Sequence, residues 1–229
     1  MRIEVLADAE AVAARAANMI AEYAREAVEK RGRFVIALSG GRTPWVMLRK
    51  LAGEDVPWSG MHVLQVDERI APAGDPDRNL THLEEALLRT APIDRTHLYA
   101  MPVESPDPSA GAAEYAKTIE KLAGSPPVVD LVHLGLGSDG HTASLIPSDP
   151  VLQIVDRDVA ITGLYQGRKR MTLTYPTINR ARRVLWVITG NDKVKALDQL
   201  LHADPAIPAG RIRQDEALVL ADRAAAPNR

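Results

Sequence analysis

The chain has 229 residues, with 28 Lys and Arg against 30 Asp and Glu, and its 46% hydrophobic and 25% charged residues exclude a disordered segment and allow one large domain or two small ones. A formal charge of −2 with one Phe, three Trp and five Tyr disfavours a nucleic-acid partner, which calls for a basic stripe and stacking rings. The absence of cysteine excludes disulfide scaffolds, thiolate nucleophiles and Cys-based zinc or iron–sulfur sites.

Charges at Arg2, Glu4 and Asp8, with no apolar run behind them, argue against a secretory signal. Nor does any run approach the roughly 20 apolar residues of a membrane span, so a cytoplasmic protein without a membrane partner is expected. From about Asp8 to Arg31 apolar residues recur at helical spacing, and Gly32 closes the segment. Phe34–Leu38 reads as a strand buried on both faces. Ser39-Gly40-Gly41-Arg42-Thr43-Pro44 then punctuates the chain before a helix through Leu51, with Thr43 expected as N-cap and Pro44 at the first helical position. Val63–Val66 is the next strand, ended by Asp67-Glu68-Arg69, and a helix follows from about Asn79 to Arg89. A short strand at His97–Tyr99, a helix near Ser109–Leu122 and a strand at Asp130–Leu136 come next. Val159–Leu164 and Met171–Thr174 read as shorter strands. Val184–Ile188 is another buried one, leading into Thr189-Gly190-Asn191-Asp192 and a helix to His202.

This alternation predicts an α/β layer fold with a mostly parallel sheet. No repeat, low-complexity tract or long linker divides the chain, so a single domain over 1–229 is expected, with room for a small lobe near 145–175. Polar clusters stand at the downstream ends of four strands, where an open parallel sheet forms its ligand crevice. The convergence points to an enzyme or a sugar-phosphate binder.

Two glycines in the Ser39–Pro44 stretch let the backbone approach an anion, and the following helix would aim free N–H groups at it; the same stretch also reads as an ordinary tight turn. Gly135–Gly140 matches GxGxxG, the dinucleotide fingerprint. However, Thr142–Ile146 is too short for the helix that motif needs before Pro147 intervenes. His141 follows in that loop, two residues after Asp139, where an imidazole can act as general base or acid and Asp139 can orient it. The alternative is that both merely cap a turn. His133 lies within a strand, and the other histidines show no metal-ligand spacing. Arg69, Arg170 and Lys193 are candidate anion ligands. Lys193 is expected in the first turn of a helix, where a cation opposes the dipole and a bound anion would explain it. Arg170 belongs to the basic run Arg168-Lys169-Arg170, usually a solvated face. Of Asp67 and Glu68 only one is expected to reach the cleft, because adjacent strand residues face opposite ways.

LSGGRTP (38–44), VDER (66–69) with Asn79-Leu80, GLGSDGHTASLIP (135–147), RMTLT (170–174) and TGNDKVKAL (189–197) occur in the order seen in 6-phosphogluconolactonases, and the chain resembles that family from about Phe34 to His202. The resemblance implies the Rossmann-like three-layer α/β fold shared with amino-sugar-phosphate deaminases. It also implies hydrolysis of 6-phosphoglucono-δ-lactone to 6-phosphogluconate, in the oxidative pentose phosphate pathway. Carried over by position, the catalytic histidine is His141, supported by Asp139. Ser39, Gly40, Gly41 and Thr43 would hold the phosphate with Arg170 and Lys193, and Arg69 would line the pocket. An activated ester requires no metal and no cofactor, and oxyanion stabilisation falls to Arg69 or backbone N–H groups near Gly140. The expected partner is the small-molecule substrate, with the chain a monomer or a small homo-oligomer. Ile146-Pro147-Ser148 departs from the family's Phe-Pro-Gly. The related deaminases carry a Glu five residues after the histidine, where this chain has Ile146, and sugar-phosphate-sensing regulators need a DNA-binding segment that the sequence does not display.

Overall fold

The computed structural model describes residues 1–226. In chain order its strands are β1 (Arg2–Leu6), β2 (Phe34–Leu38), β3 (Met61–Gln65), β4 (Asp67–Arg69), β5 (Leu98–Tyr99), β6 (Leu131–Leu134), β7 (Val159–Ile161), β8 (Arg170–Leu173), β9 (Arg183–Ile188) and β10 (Ala217–Asp222). Seven form one parallel sheet in the order β1-β10-β9-β6-β2-β3-β5, and β4-β8-β7 form a separate antiparallel sheet. The α-helices are α1 (Ala9–Arg31), α2 (Arg42–Leu51), α3 (Asn79–Leu83, continued by a π-helical turn at Glu84–Leu88), α4 (Pro108–Ala123), α5 (Tyr175–Arg180) and α6 (Val194–Leu201).

Unbroken apolar runs become strands here because helices cover both faces of the large sheet. Along β2 the side chains alternate. Phe34, Ile36 and Leu38 pack with Ile20 of α1 and Leu48 and Leu51 of α2, whereas Val35 and Ala37 join Tyr115 and Ile119 of α4 and Leu197 of α6. Six buried alanines, among them Ala13, Ala17 and Ala24, line α1 and let it lie close to its neighbours. Asp8 caps that helix through Ala11 N–H (2.9 Å), and Gly32 ends it with φ +73°. The three-layer α/β fold is thus the one implied from sequence. Among the described residues no helix is long and apolar enough to cross a membrane.

Strand order places the site. From β2 the chain proceeds outward to β3 and β5, then returns to put β6 on the other side of β2 and continues to β9 and β10. The reversal opens a crevice at the carboxyl ends of β2 and β6, where open α/β sheets bind ligands. Past β3 the chain changes sheets. Val66 N–H donates to Leu38 O (3.0 Å) while its carbonyl accepts Leu173 N–H (2.8 Å), and β4 then pairs with β8.

Several local expectations differ from the structure. α2 starts at Arg42, ahead of Thr43, because Gly41 (φ +139°) turns the backbone one residue earlier. Thr43 Oγ1 instead meets Thr189 Oγ1 at 2.7 Å. Lys193 ends a 3₁₀ turn at Asn191–Lys193 ahead of α6 rather than sitting in its first α-turn. Arg95–His97 is likewise a 3₁₀ turn, leaving only Leu98–Tyr99 extended. The strand expected at Val159–Leu164 ends at Ile161, and that expected at Asp130–Leu136 spans only Leu131–Leu134. No α-helix follows Gly135–Gly140 until α5, so the fingerprint's glycines shape a turn. β1, α5 and β10 were not assigned from sequence: β1 and α5 are short, and β1 is only half-buried at the sheet edge.

Candidate active site

The loop after β2 is held from below. Ser39 N–H donates to Nδ1 of His133 on β6 (3.3 Å), and burial pushes that imidazole down to about 4. A Cβ at Gly40 would run into the Asn79 side chain. The N-terminus of α2 has no side-chain cap, so its first-turn N–H groups, which lie outside the helical ladder, remain for a ligand.

The loop after β6 is wound tightly around its histidine. Gly137 N–H donates to His141 O (2.8 Å), and a Cβ at Gly137 would run into the imidazole. Asp139 Oδ1 accepts from the His141 backbone N–H (3.1 Å) and meets His141 Nδ1 at 2.6 Å. Burial alone would raise the Asp139 carboxyl. Hydrogen bonds from His141 and Tyr165, with the imidazole's charge, bring it below its usual range instead. Gly140 N–H is already donated to Gly137 O (3.0 Å), so it offers no oxyanion contact.

β4 separates its two carboxylates. Asp67 lines the cavity and accepts Ser144 Oγ–H at 2.6 Å. Glu68, fully buried, accepts the backbone N–H groups of Arg69, Asn79 and Leu80 and the side chain of Gln65, each at 2.8 Å. It is the N-terminal anchor of α3 and stands outside the cavity. Arg69 spends both Nη1 protons on Asp77 O and Asn79 Oδ1 (2.7 Å each), which leaves the rest of its guanidinium for the cavity.

Antiparallel pairing sets Arg170 of β8 opposite Arg69. The basic run therefore divides: Lys169 is exposed, Arg168 pairs with Asp75 and Asp77 (3.0 Å each), and Arg170 turns inward. Burial pushes the Arg170 guanidinium below its usual range, with Asp67 acting in the opposite direction. Its Nη2 donates to Gln166 (3.1 Å), while its buried Nε has no partner. Lys193 reaches the same cavity beside Asp192 (2.8 Å).

Ser39, Gly40, Gly41, Thr43, Arg69, His141, Arg170 and Lys193 thus all line one cavity of about 280 Å³, with Asp139 behind His141. That volume lies at the small end of ligand pockets, roughly 300–1,000 Å³. Arg42 and Asn79 also line it and were not singled out as site residues from sequence. Asn79 carried a signal as part of the resemblance motif, whereas Arg42 was read only as a turn residue. Four cations against the single carboxylate of Asp67 give the cavity a field that draws anions. Among the described residues no group of three His, Asp or Glu is arranged to hold a metal ion.

Fold and cavity together define an open-sheet α/β enzyme for a small anionic substrate. The family model for glucosamine-6-phosphate isomerases/6-phosphogluconolactonase matches residues 7–220. A 6-phosphogluconolactonase of Nostoc sp. is 38% identical over 97% of this chain and 96% of its own length. The crystal structure of 6-phosphogluconolactonase from Thermotoga maritima superposes with a TM-score of 0.86 at 27% identity, covering 96% of this chain and 98% of that one. A monomeric glucosamine-6-phosphate deaminase shares the fold, with a TM-score of 0.86 at 20% identity over 98% of both chains. The chain belongs to the glucosamine-6-phosphate isomerase/6-phosphogluconolactonase family.

Proposed function

We propose that this protein hydrolyses 6-phosphoglucono-δ-lactone to 6-phosphogluconate, the lactone-opening step of the oxidative pentose phosphate pathway, with His141 as general base. The Asp139–His141 pair carries this reading. A carboxylate oxygen such as Asp139 Oδ1 accepts, so the 2.6 Å contact favours a proton on Nδ1 and supports an Nε2 lone pair free to take one from water. Water attacks C1 as Nε2 removes its proton, and the carbonyl electrons move onto oxygen. When they return, the C1–ring oxygen bond breaks and the imidazolium protonates the departing oxygen, opening the ring. General-base assistance of this kind is worth roughly 10²–10⁴-fold. The guanidinium of Arg69 supplies the charge for the oxyanion, since Gly140 N–H is already engaged. The α2 N-terminus with Ser39, Gly40, Gly41 and Thr43 takes the phosphate, with Arg170 and Lys193 as its cations.

The isomerase and deaminase side of the family is the weaker reading. Ile146, packed in the core, stands where those enzymes carry a glutamate, and the one carboxylate of β4 in the cavity, Asp67, is tied to Ser144. The test generates the lactone in situ with glucose-6-phosphate dehydrogenase and follows its disappearance above the spontaneous rate. Acceleration by the pure protein is expected. A rate equal to the spontaneous one overturns the proposal.

A further inference from the structure

Between β7 and β8 the chain makes a hairpin whose tip lies beside the cavity, where Gln166 and Arg168 line an adjoining pocket with Gly41, Arg69 and Arg170. The hairpin is anchored on both sides. Tyr165 and Arg168 exchange backbone hydrogen bonds (2.9 and 3.2 Å) around Gln166 and Gly167, both left-handed at φ +52° and +79°, the form a two-residue hairpin turn takes. Arg168 ties the tip to Asp75 and Asp77. Leu164, beside it, projects into solvent at 75% exposure, while Tyr165 turns inward.

Three contacts converge on that ring. The Tyr165 hydroxyl donates to Asp139 Oδ2 (3.2 Å), the oxygen that His141 Nδ1 does not use. The ring meets the imidazole edge-on, with centroids 5.6 Å apart. The Arg170 guanidinium lies over the same ring, 5.0 Å from its centroid. One side chain therefore touches the carboxylate that orients the base, the base itself and the cation assigned to the phosphate. We propose that Tyr165 is a positioning residue for this reaction: its hydroxyl sets how strongly Asp139 holds the His141 proton, and its ring holds Arg170 in place for the phosphate. This rests on His141 being the base.

The two roles separate by chemistry. A hydroxyl donating to Oδ2 withdraws negative charge from the carboxylate, so Asp139 stabilises an imidazolium less than it would alone. Burial and the neighbouring carboxylate raise the phenol above its usual range, which keeps it a donor throughout the working pH span. Removing the hydroxyl should move the acidic limb of the kcat/KM profile to higher pH. The shift should be a few tenths of a unit to about one unit, the size of a single hydrogen bond. Asp139 and Tyr165 face the imidazole directly, with Asp67, Arg69, Arg170, Lys193 and Arg42 around the cavity. All but Tyr165 are common to wild type and variant, so the difference isolates the hydroxyl.

The experiment measures kcat and KM from pH 5 to 9 for Tyr165→Phe, Tyr165→Leu and His141→Ala, with Leu164→Ala as hairpin control and a thermal melt for each. Tyr165→Phe should show the shifted acidic limb with KM near wild type. Tyr165→Leu should show that shift plus a KM rise of about two- to tenfold from the lost cation–π contact, and Leu164→Ala should match wild type. A wild-type pH profile in Tyr165→Phe overturns the proposal, as does a Tyr165→Leu variant that melts normally with unchanged KM. His141→Ala keeping near-wild-type kcat instead overturns the base assignment, a distinguishable failure.

Discussion

The parallel and antiparallel sheets meet at the cavity with opposite chemistry. β2 is wholly apolar and β9 is so after Arg183, and both offer polar groups to the cavity only beyond their carboxyl ends, in the loops bearing Ser39, Gly40 and Lys193; β6 does likewise for His141, with His133 its one polar interruption. β4 and β8 carry their polar groups within the strands, at Asp67, Glu68, Arg69 and Arg170. The first sheet is stabilised by burying apolar surface, so its loops carry function at little cost to the scaffold. In the second, the residues that hold the strands together are neighbours of those that hold the ligand. The large sheet brings the loops that bear His141, Ser39–Thr43 and Lys193 to the cavity, while the small one brings Asp67, Arg69 and Arg170 there from within its strands. Mutations in the two should therefore fail differently.

The largest effect is expected in the large sheet's loop: His141→Ala should lower kcat by about 10²–10⁴-fold with little change in KM or melting temperature, as steady-state kinetics and a melt would show. A similar kcat loss from Arg170→Ala alone would break the division of labour. Next comes the small sheet's anchor. Glu68→Ala leaves the N–H groups of Asn79 and Leu80 without their acceptor and the buried Arg78 with only Glu104 (3.2 Å), and should cost about 3–5 kcal/mol in denaturant unfolding. By contrast, Ile36→Val in β2 should cost about 0.5–1.5 kcal/mol and leave kinetics untouched.

His133 tests whether the large sheet also has a polar weakness. Its pKa falls from an ordinary 6.5 to about 4 in the folded chain, so between those values the unfolded chain binds the extra proton. Stability is then fully present above pH 6.5 and drops as pH falls toward 4, by up to roughly 3 kcal/mol at about 1.36 kcal/mol per unit. His133→Gln should flatten that slope in urea titrations at pH 4.5 and 7. The phosphate contacts should act on binding: Arg170→Ala and Lys193→Ala should each raise KM about tenfold or more with less change in kcat, because a charged hydrogen bond worth about 1.5–3 kcal/mol persists in ground and transition states. Unchanged KM in both would remove them from the phosphate site.

Unbroken apolar runs were enough to locate β2, β6 and β9, and sustained helical spacing to locate α1. β1 was missed because its charged, half-exposed residues break the apolar run, and α5 because six residues carry too little helical pattern. The pattern also misplaced the start of α2, which depends on a φ that only glycine adopts comfortably at position 41. At the site, motifs at strand ends were readable because the sheet gathers them at one edge by rule. Tyr165 was not, since nothing near Gln166-Gly167 indicates that a hairpin tip will lie against Asp139, 26 residues away in sequence.

By itself the sequence determined the layer architecture, the loops that face the crevice and the pairing of His141 with Asp139, all of which are set by local pattern and short spacing. Only the tertiary structure decided that Arg170 leaves a basic run to stand opposite Arg69, that Glu68 holds α3 while Asp67 faces the cavity, and that Tyr165 lies between the Asp139–His141 pair and Arg170. Those outcomes depend on the pairing of β4 with β8 across about a hundred residues, and a strand's register fixes which way each side chain points only once its partner is in place.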